Sequence, residues 1–249
     1  MGNALSETIA RNVLQRQNGR TDRRRETGVE TRCTSLTLSS LAQRSDLGLD
    51  EATAETIGCI ACDCMFSKME ENDVASSLNF LYLLRGLKSR GLVDESVACV
   101  PSRTRIMCRF ATLPTLSTVY KNVGRCEGFD HGALDDVNDY NCYDVGIQLA
   151  QYEVEWLGDG FEVGCLEYGK QVVHGGTGSG TMTRSGNFDA AVLYVEHLSE
   201  EGGAFDTCGA GSTQRVMFVH RGEVKAGARF EVEFEVEPTE EEPYRLVVK

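Results

Sequence analysis

No apolar run in these 249 residues approaches the roughly 20 residues that a membrane-spanning helix needs. None has the make-up of a secretory leader either. Positive charge is the scarcer sign: 25 Lys and Arg stand against 38 Asp and Glu, for a formal net charge of −13. So acidic a chain is excluded as a general nucleic-acid binder, because phosphate attraction needs the opposite sign. The ten cysteines do not fall into the spacing of a secreted disulfide framework. Without a leader they imply a reducing compartment, so the expected location is intracellular, in the cytoplasm or at the cytoplasmic face of a membrane. No internal repeat is present, which excludes a solenoid.

What is there divides into two parts. Residues 1–48 are polar, and the first 50 residues carry eight Arg against six acidic residues. The acidic excess therefore lies wholly in the remainder. This segment is expected to be a disordered tail. It opens M-G-N-A-L-S, where Gly2 with Ser6 fits an N-myristoylation pattern. One lipid chain anchors weakly, and Arg20, Arg23, Arg24 and Arg25 are available as the second signal. The plain alternative is a tail whose Gly2 is accidental. Residues 49–249 are expected to form one domain, since 41% hydrophobic content is enough for a packed core.

Within it, 49–95 reads as a helical cap. One helix is expected over about Asp50 to Met69. A second, capped by Asp73, carries the stripe Val74, Leu78, Leu81, Leu84 and Leu87 and stops near Gly91. From 100 to 249 the pattern is β. Strands are expected at Arg105–Thr112, Gln151–Leu157, Phe161–Tyr168, Gln171–His174, Ala190–Val195, Arg215–His220, Arg229–Val236 and Tyr244–Val248. The fold class is thus α+β, mainly β: a barrel or sandwich with N-terminal helices packed on it.

A polar constellation lies on that frame. His220 follows the apolar run Val216–Val219, and Arg229 opens a strand alternating Phe230, Val232, Phe234 and Val236 with Glu231, Glu233 and Glu235. Upstream stand Tyr168, His174, the run Leu193-Tyr194-Val195 and the turn Glu201-Gly202-Gly203. In this order the residues resemble the Fe(II)/2-oxoglutarate oxygenases of the prolyl 4-hydroxylase-like branch, over about Phe161 to Val236. The resemblance implies a double-stranded β-helix, or jelly roll. It implies Fe(II) held by His174 and His220, and 2-oxoglutarate held by Arg229 with help from Tyr168. The family's His-x-Asp motif is missing, since Gly175 and Gly176 follow His174. Either the position is open for a halide, or Asp189 or Asp206 supplies the carboxylate, or the site is dead.

Other patterns carry less. Cys59-x-x-Cys62-x-Cys64 lacks a second cluster for zinc and reads as small residues in a helix core. Asp139-Tyr140-Asn141-Cys142 faintly resembles the nucleophile motif of ovarian-tumour-type deubiquitinases, with His197 or His220 as base. The glycine-rich run 175–186 has no G-K-[ST] and is not read as a phosphate loop. The resemblance therefore implies a divergent dioxygenase-like protein that, if its site is active, hydroxylates a protein side chain or small molecule. The alternative is a non-enzymatic, N-myristoylated, membrane-peripheral β-sandwich of viral matrix, capsid or accessory type.

Overall fold

A computed structural model describes residues 58–62, 73–121, 123–135, 144–199, 203–209, 212–219, 221–236 and 245–249. The expected tail, Gly2 and most of the first expected helix lie outside these residues. The chain opens with β1 (Cys59–Ala61), α1 (Asp73–Ser89) and β2 (Ala98–Val100). Then come β3 (Arg103–Thr112), α2 (Leu116–Val119), β4 (Arg125–Cys126), β5 (Phe129–Asp130), α3 (Gly132–Asp135) and β6 (Asp144–Ile147). The rest is strand: β7 (Glu155–Trp156), β8 (Phe161–Glu167), β9 (Val172–Thr181), β10 (Gly186–Asn187), β11 (Ala190–Leu198) and β12 (Ala204–Asp206). It ends with β13 (Gln214–Phe218), β14 (Glu223–Val224), β15 (Arg229–Glu235) and β16 (Arg245–Val248).

The apolar stripe of α1 buries Val74, Leu78, Leu81, Leu84 and Leu87 against the sheet, as its helical spacing requires. Gly91, at φ +65°, ends the helix: its N–H reaches the Lys88 carbonyl while Leu92 N–H reaches that of Leu87. Before α1 the expectation fails. Cys59–Ala61 is a strand, not helix, and pairs parallel with Ala98–Val100. Cys62 beside it is disulfide-bonded, an exception to the expected reduced thiols.

Ten strands form one antiparallel sheet, with the path β16-β15-β9-β8-β3-β11-β13-β6, β12 on β11 and β7 on β3. The fold is mainly β, as expected. The two facing sheets of a jelly roll are not what the described residues form; their strands follow one hydrogen-bonded path that curls. Phe110 on β3 and Phe230 on β15 are three strands apart, about 14 Å along a flat sheet. Their ring centroids are 6.0 Å apart, so the sheet bends back on itself. Phe161 and Phe188 complete that aromatic cluster.

The curl depends on the glycine-rich β9. A Cβ on Gly175 would lie 2.6 Å from the Phe234 carbonyl oxygen, and one on Gly180 2.7 Å from the Phe110 ring. The run 175–180 is a strand whose neighbours close in on its backbone. It is also why β9 runs on to Thr181, well beyond the expected Gln171–His174.

β11 is the strand buried on both faces. Ala191, Leu193 and Val195 join the core shared with α1, β8 and β15. Ala190 and Val192 face the other way, into a smaller core with Leu113, Leu116, Ile147, Val216 and Phe218. Gly175→Ala is expected to destabilise the fold by about 1–3 kcal/mol, since backbone rather than a mobile side chain must yield. Thermal denaturation checks it, with Tm lowered by about 2–4 °C per kcal/mol.

Candidate functional site

The face between α1 and the sheet is not wholly apolar. Along β3, Thr104 takes an inward position in the alternation that sends Ile106, Cys108 and Phe110 to the core. Its hydroxyl lies 2.9 Å from Tyr168 Oη and 2.8 Å from His197 Nδ1. Tyr168 Oη in turn reaches the Ser77 carbonyl of α1 at 3.5 Å. A buried polar chain therefore runs from helix to sheet through Ser77, Tyr168, Thr104 and His197. Burial pushes the Tyr168 hydroxyl up to about 12 and the His197 imidazole down to about 4. His197 is neutral at pH 7, stacked on Phe205 with centroids 6.5 Å apart, and its Nε2 has no partner.

Four residues before Ser77, Asp73 opens α1. Its N–H donates to the Thr213 carbonyl at 3.2 Å, and its own carbonyl accepts the Ser77 hydroxyl at 2.7 Å. Its carboxylate bonds Thr207, yet Oδ2 has no partner and the residue is only 2% exposed. Burial raises its pKa to about 6, and the Thr207 hydrogen bond offsets part of that. Thr207 and Gln214 hold the loop in place: Val195 N–H donates to Thr207 Oγ1 at 3.0 Å, Gln214 Nε2 donates to the Thr207 carbonyl, and Leu149 N–H reaches Gln214 Oε1 at 3.1 Å. Two buried groups, one carboxylate and one imidazole, thus keep an unused polar atom on the side of the sheet that α1 covers. Strongly shifted ionisable groups of this kind mark candidate sites. Asp73 can exchange a proton near pH 6; His197 offers a neutral ring.

The sequence marked Asp73 only as a helix cap and His197 only as a base for Cys142. The usable signal was a polar residue at an inward position of a period-two strand, which both Thr104 and His197 supply.

Of the residues expected to bind iron and 2-oxoglutarate, the three that are described, Tyr168, His174 and Arg229, do not converge. Tyr168 is a core residue, 1% exposed and packed on Phe80 at 4.7 Å. His174 is exposed on β9, with Nε2 3.8 Å from Glu167 Oε1. Arg229 is exposed on β15 and donates to Ser179 Oγ at 2.6 and 3.1 Å. Because Arg229 pairs with Thr181, His174 lies seven residues further along β9, roughly 23 Å away. His220, Gly2 and the motif at Cys142 lie outside the described residues. Asp189 receives the Leu113 N–H and Asp206 that of Cys208, so both carboxylates are engaged in loops. Among the described residues no three His, Cys, Asp or Glu gather as metal ligands. No helix among them is long and apolar enough to cross a membrane.

No protein-family model and no curated protein sequence matches the chain. Solved structures do. A chain of the Trypanosoma brucei PRMT1 enzyme–prozyme heterotetrameric complex with AdoHcy aligns with a TM-score of 0.58 at 11% identity, over 77% of this chain and 62% of that one. That structure belongs to the protein arginine methyltransferases, and the likeness is one of fold alone. PRMT6 aligns at TM-score 0.46 and 11% identity, and PRMT6 with SAH at 0.44 and 13%, each over 86% of this chain and 72% of the other. This chain thus spans under two thirds of the length of the trypanosome chain. The likeness corrects the oxygenase resemblance together with its iron, its 2-oxoglutarate and its hydroxylation chemistry. It equally fails to support the lipid-anchored viral sandwich. The resemblance misled because it read the order of residues along the chain, whereas His174 and Arg229 lie far apart along the β9–β15 ladder.

The two shifted groups set opposite pH dependences. Asp73, raised, costs stability above pH 6, and that cost fades as pH falls through 6 towards 3.8. Asp73→Asn is expected to add about 2 kcal/mol at pH 7.5 and nothing below about pH 4. His197, lowered, costs stability as pH falls from 6.5 to about 4, and His197→Gln is expected to flatten that acid limb. Urea denaturation across pH 3.5–8 checks both; an Asp73→Asn gain that did not vary with pH would refute the burial of an ionised carboxylate.

Proposed function

We propose that this chain is a methyltransferase-fold subunit that pairs with a second, cofactor-carrying chain of the same fold in an assembly that methylates protein arginine. In that reaction the methyl group leaves the sulfonium of S-adenosylmethionine. The sulfur keeps the bonding pair and becomes the thioether of AdoHcy. A guanidinium nitrogen gains the N–C bond and loses a proton. The trypanosome neighbour, an enzyme–prozyme heterotetramer with AdoHcy, supports the assignment to an assembly.

The observation that carries the reading is the excursion between β3 and β6. Val119 (63% exposed), Val123 (44%), Phe129 (71%) and Leu134 (50%) all sit on it. Its described residues 123–135 are joined by polar bonds. Asp135 accepts the N–H groups of Val123 and Gly124 at 2.8 and 2.6 Å, and His131 N–H reaches the Gly124 carbonyl at 2.8 Å. Its root is firm, with Leu116 buried and Tyr120 stacked on Phe218 at 4.6 Å. Four exposed apolar side chains on a segment held by its own polar bonds mark an interaction surface.

Burial of a Phe or Leu stabilises by about 1.5–3 kcal/mol each, so Phe129→Asp with Leu134→Asp is expected to weaken the complex at least about 100-fold. Both side chains are exposed, so Tm should barely move. The measurement is sedimentation of the full chain mixed with each purified protein arginine methyltransferase of its own organism. Wild type should bind one of them and the double variant should not. Binding to none, or self-association alone, sinks the proposal.

A further inference from the structure

The Cys59-x-x-Cys62-x-Cys64 motif takes no part in the proposed assembly, and one of its members meets the buried polar chain under α1. Cys62 is disulfide-bonded. The other described cysteines carry no disulfide, so its bonding partner lies outside the described residues. Cys62 is half-buried just past β1, its N–H held by the Val100 carbonyl at 2.8 Å. With Ser76, Ser77, Phe80, Pro101, Tyr168 and His197 it lines a crevice of about 160 Å³ that is too narrow to admit a water molecule.

The direction of the bonds in the polar chain is fixed from its helical end. The Ser77 carbonyl only accepts, so Tyr168 donates its one proton there. Tyr168 Oη therefore accepts from Thr104, and Thr104 Oγ1, its own proton spent, accepts from His197 Nδ1–H. His197 Nε2 is left with a bare lone pair, in a residue 7% exposed, and it has no hydrogen-bond partner. Burial keeps the ring neutral down to about pH 4, so at neutral pH no proton fills that lone pair. Of the side chains around the crevice, Phe80 and Pro101 have no donor, and Ser77 Oγ is committed to the Asp73 carbonyl. Ser76 and Cys62 remain, and of these only Cys62 gains a proton when the redox state changes.

We propose that Cys62 is a thiol–disulfide exchange site whose reduced form is stabilised by His197. The reductant is a small dithiol, which can approach a half-buried sulfur. One of its thiolates attacks the disulfide, the S–S bond breaks, and a mixed disulfide forms. Its second thiolate then displaces the protein sulfur and closes the reductant's own disulfide. Two electrons pass to the protein disulfide, and the two thiol protons of the reductant end on the two cysteine sulfurs. Cys62 S–H then donates to Nε2, which supplies the partner that the buried lone pair lacks in the oxidised chain.

The test equilibrates the full chain and its His197→Phe variant in graded mixtures of reduced and oxidised dithiothreitol. Acid quenching, alkylation and mass spectrometry of the Cys62 peptide give the fraction reduced. Only the reduced wild type makes the new bond, so His197→Phe is expected to need about tenfold more reduced over oxidised dithiothreitol for half-reduction. A second readout uses the wild type alone and holds even where the variant does not fold. On reduction, the ring-nitrogen NMR resonance of His197 Nε2 is expected to move upfield while that of Nδ1–H stays. Three results overturn the proposal: an Nε2 resonance identical in both redox states, a midpoint within about twofold of wild type in folded His197→Phe, or Cys62 recovered as a thiol from chain never exposed to reductant.

Discussion

Nine consecutive antiparallel pairs, from Ala190 opposite Ala111 to Leu198 opposite Arg103, tie β11 to β3. Nearly everything else is attached to this ladder. β8 hangs on the other side of β3, β13 and β12 on the other side of β11, and α1 lies across the result. β11 can occupy this place because its run A-A-V-L-Y-V carries an apolar or aromatic side chain at every position, so both of its faces can be buried. β3 meets it with strict alternation. Thr104, Ile106, Cys108 and Phe110 face the larger core, while Arg105 on the opposite face pairs with Glu196 and Glu162, and Arg109 lies over Trp156 at 4.5 Å. A one-residue slip would exchange these two sets and bury the arginines, which fixes the register.

Where the local pattern alone determines structure, the sequence was readable. Short apolar or alternating runs located β3, β8, β11, β13, β15 and β16 to within a few residues, and helical spacing located α1 with its buried stripe. It failed where structure depends on distant contacts. β9 looked short because glycines carry no strand propensity; they are there because Phe234 and Phe110 press on the backbone from other strands. Cys59–Ala61 read as helix because small residues fit either pattern, and its strand exists only through its parallel partner Ala98–Val100. The curl of the sheet was not legible at all, since it lies in the meeting of Phe110 with Phe230 across three strands.

The candidate site shows the same limit. Tyr168, His174, His220 and Arg229 were chosen as chemistry-bearing residues in a suggestive order, and order along a chain does not give distance in space. Tyr168 did prove to belong to a polar cluster, but as the buried link between Ser77 and Thr104 rather than as a ligand contact. Asp73 and His197 were in plain view. What marks them is the combination of burial with an unpartnered atom, a property of the packed state.

The two faces of β11 also separate two roles. Ala191, Leu193, Val195 and His197 turn towards α1 and the buried polar chain. Ala190 and Val192 turn towards Leu116 and Phe218, on which the apolar excursion is rooted through Tyr120. The groups meet through the β11 backbone, which the β3 ladder holds fixed, and through the bonds that run from Thr207 by way of Gln214 to Leu149. Changes on the excursion and changes at Asp73 share no side-chain partner, so their effects on stability should add. A subunit built this way can present a binding surface on one side of its sheet whatever charge state Asp73 adopts on the other. For the docking role proposed above, that separation keeps the apolar excursion apart from the side chains whose environment changes under α1.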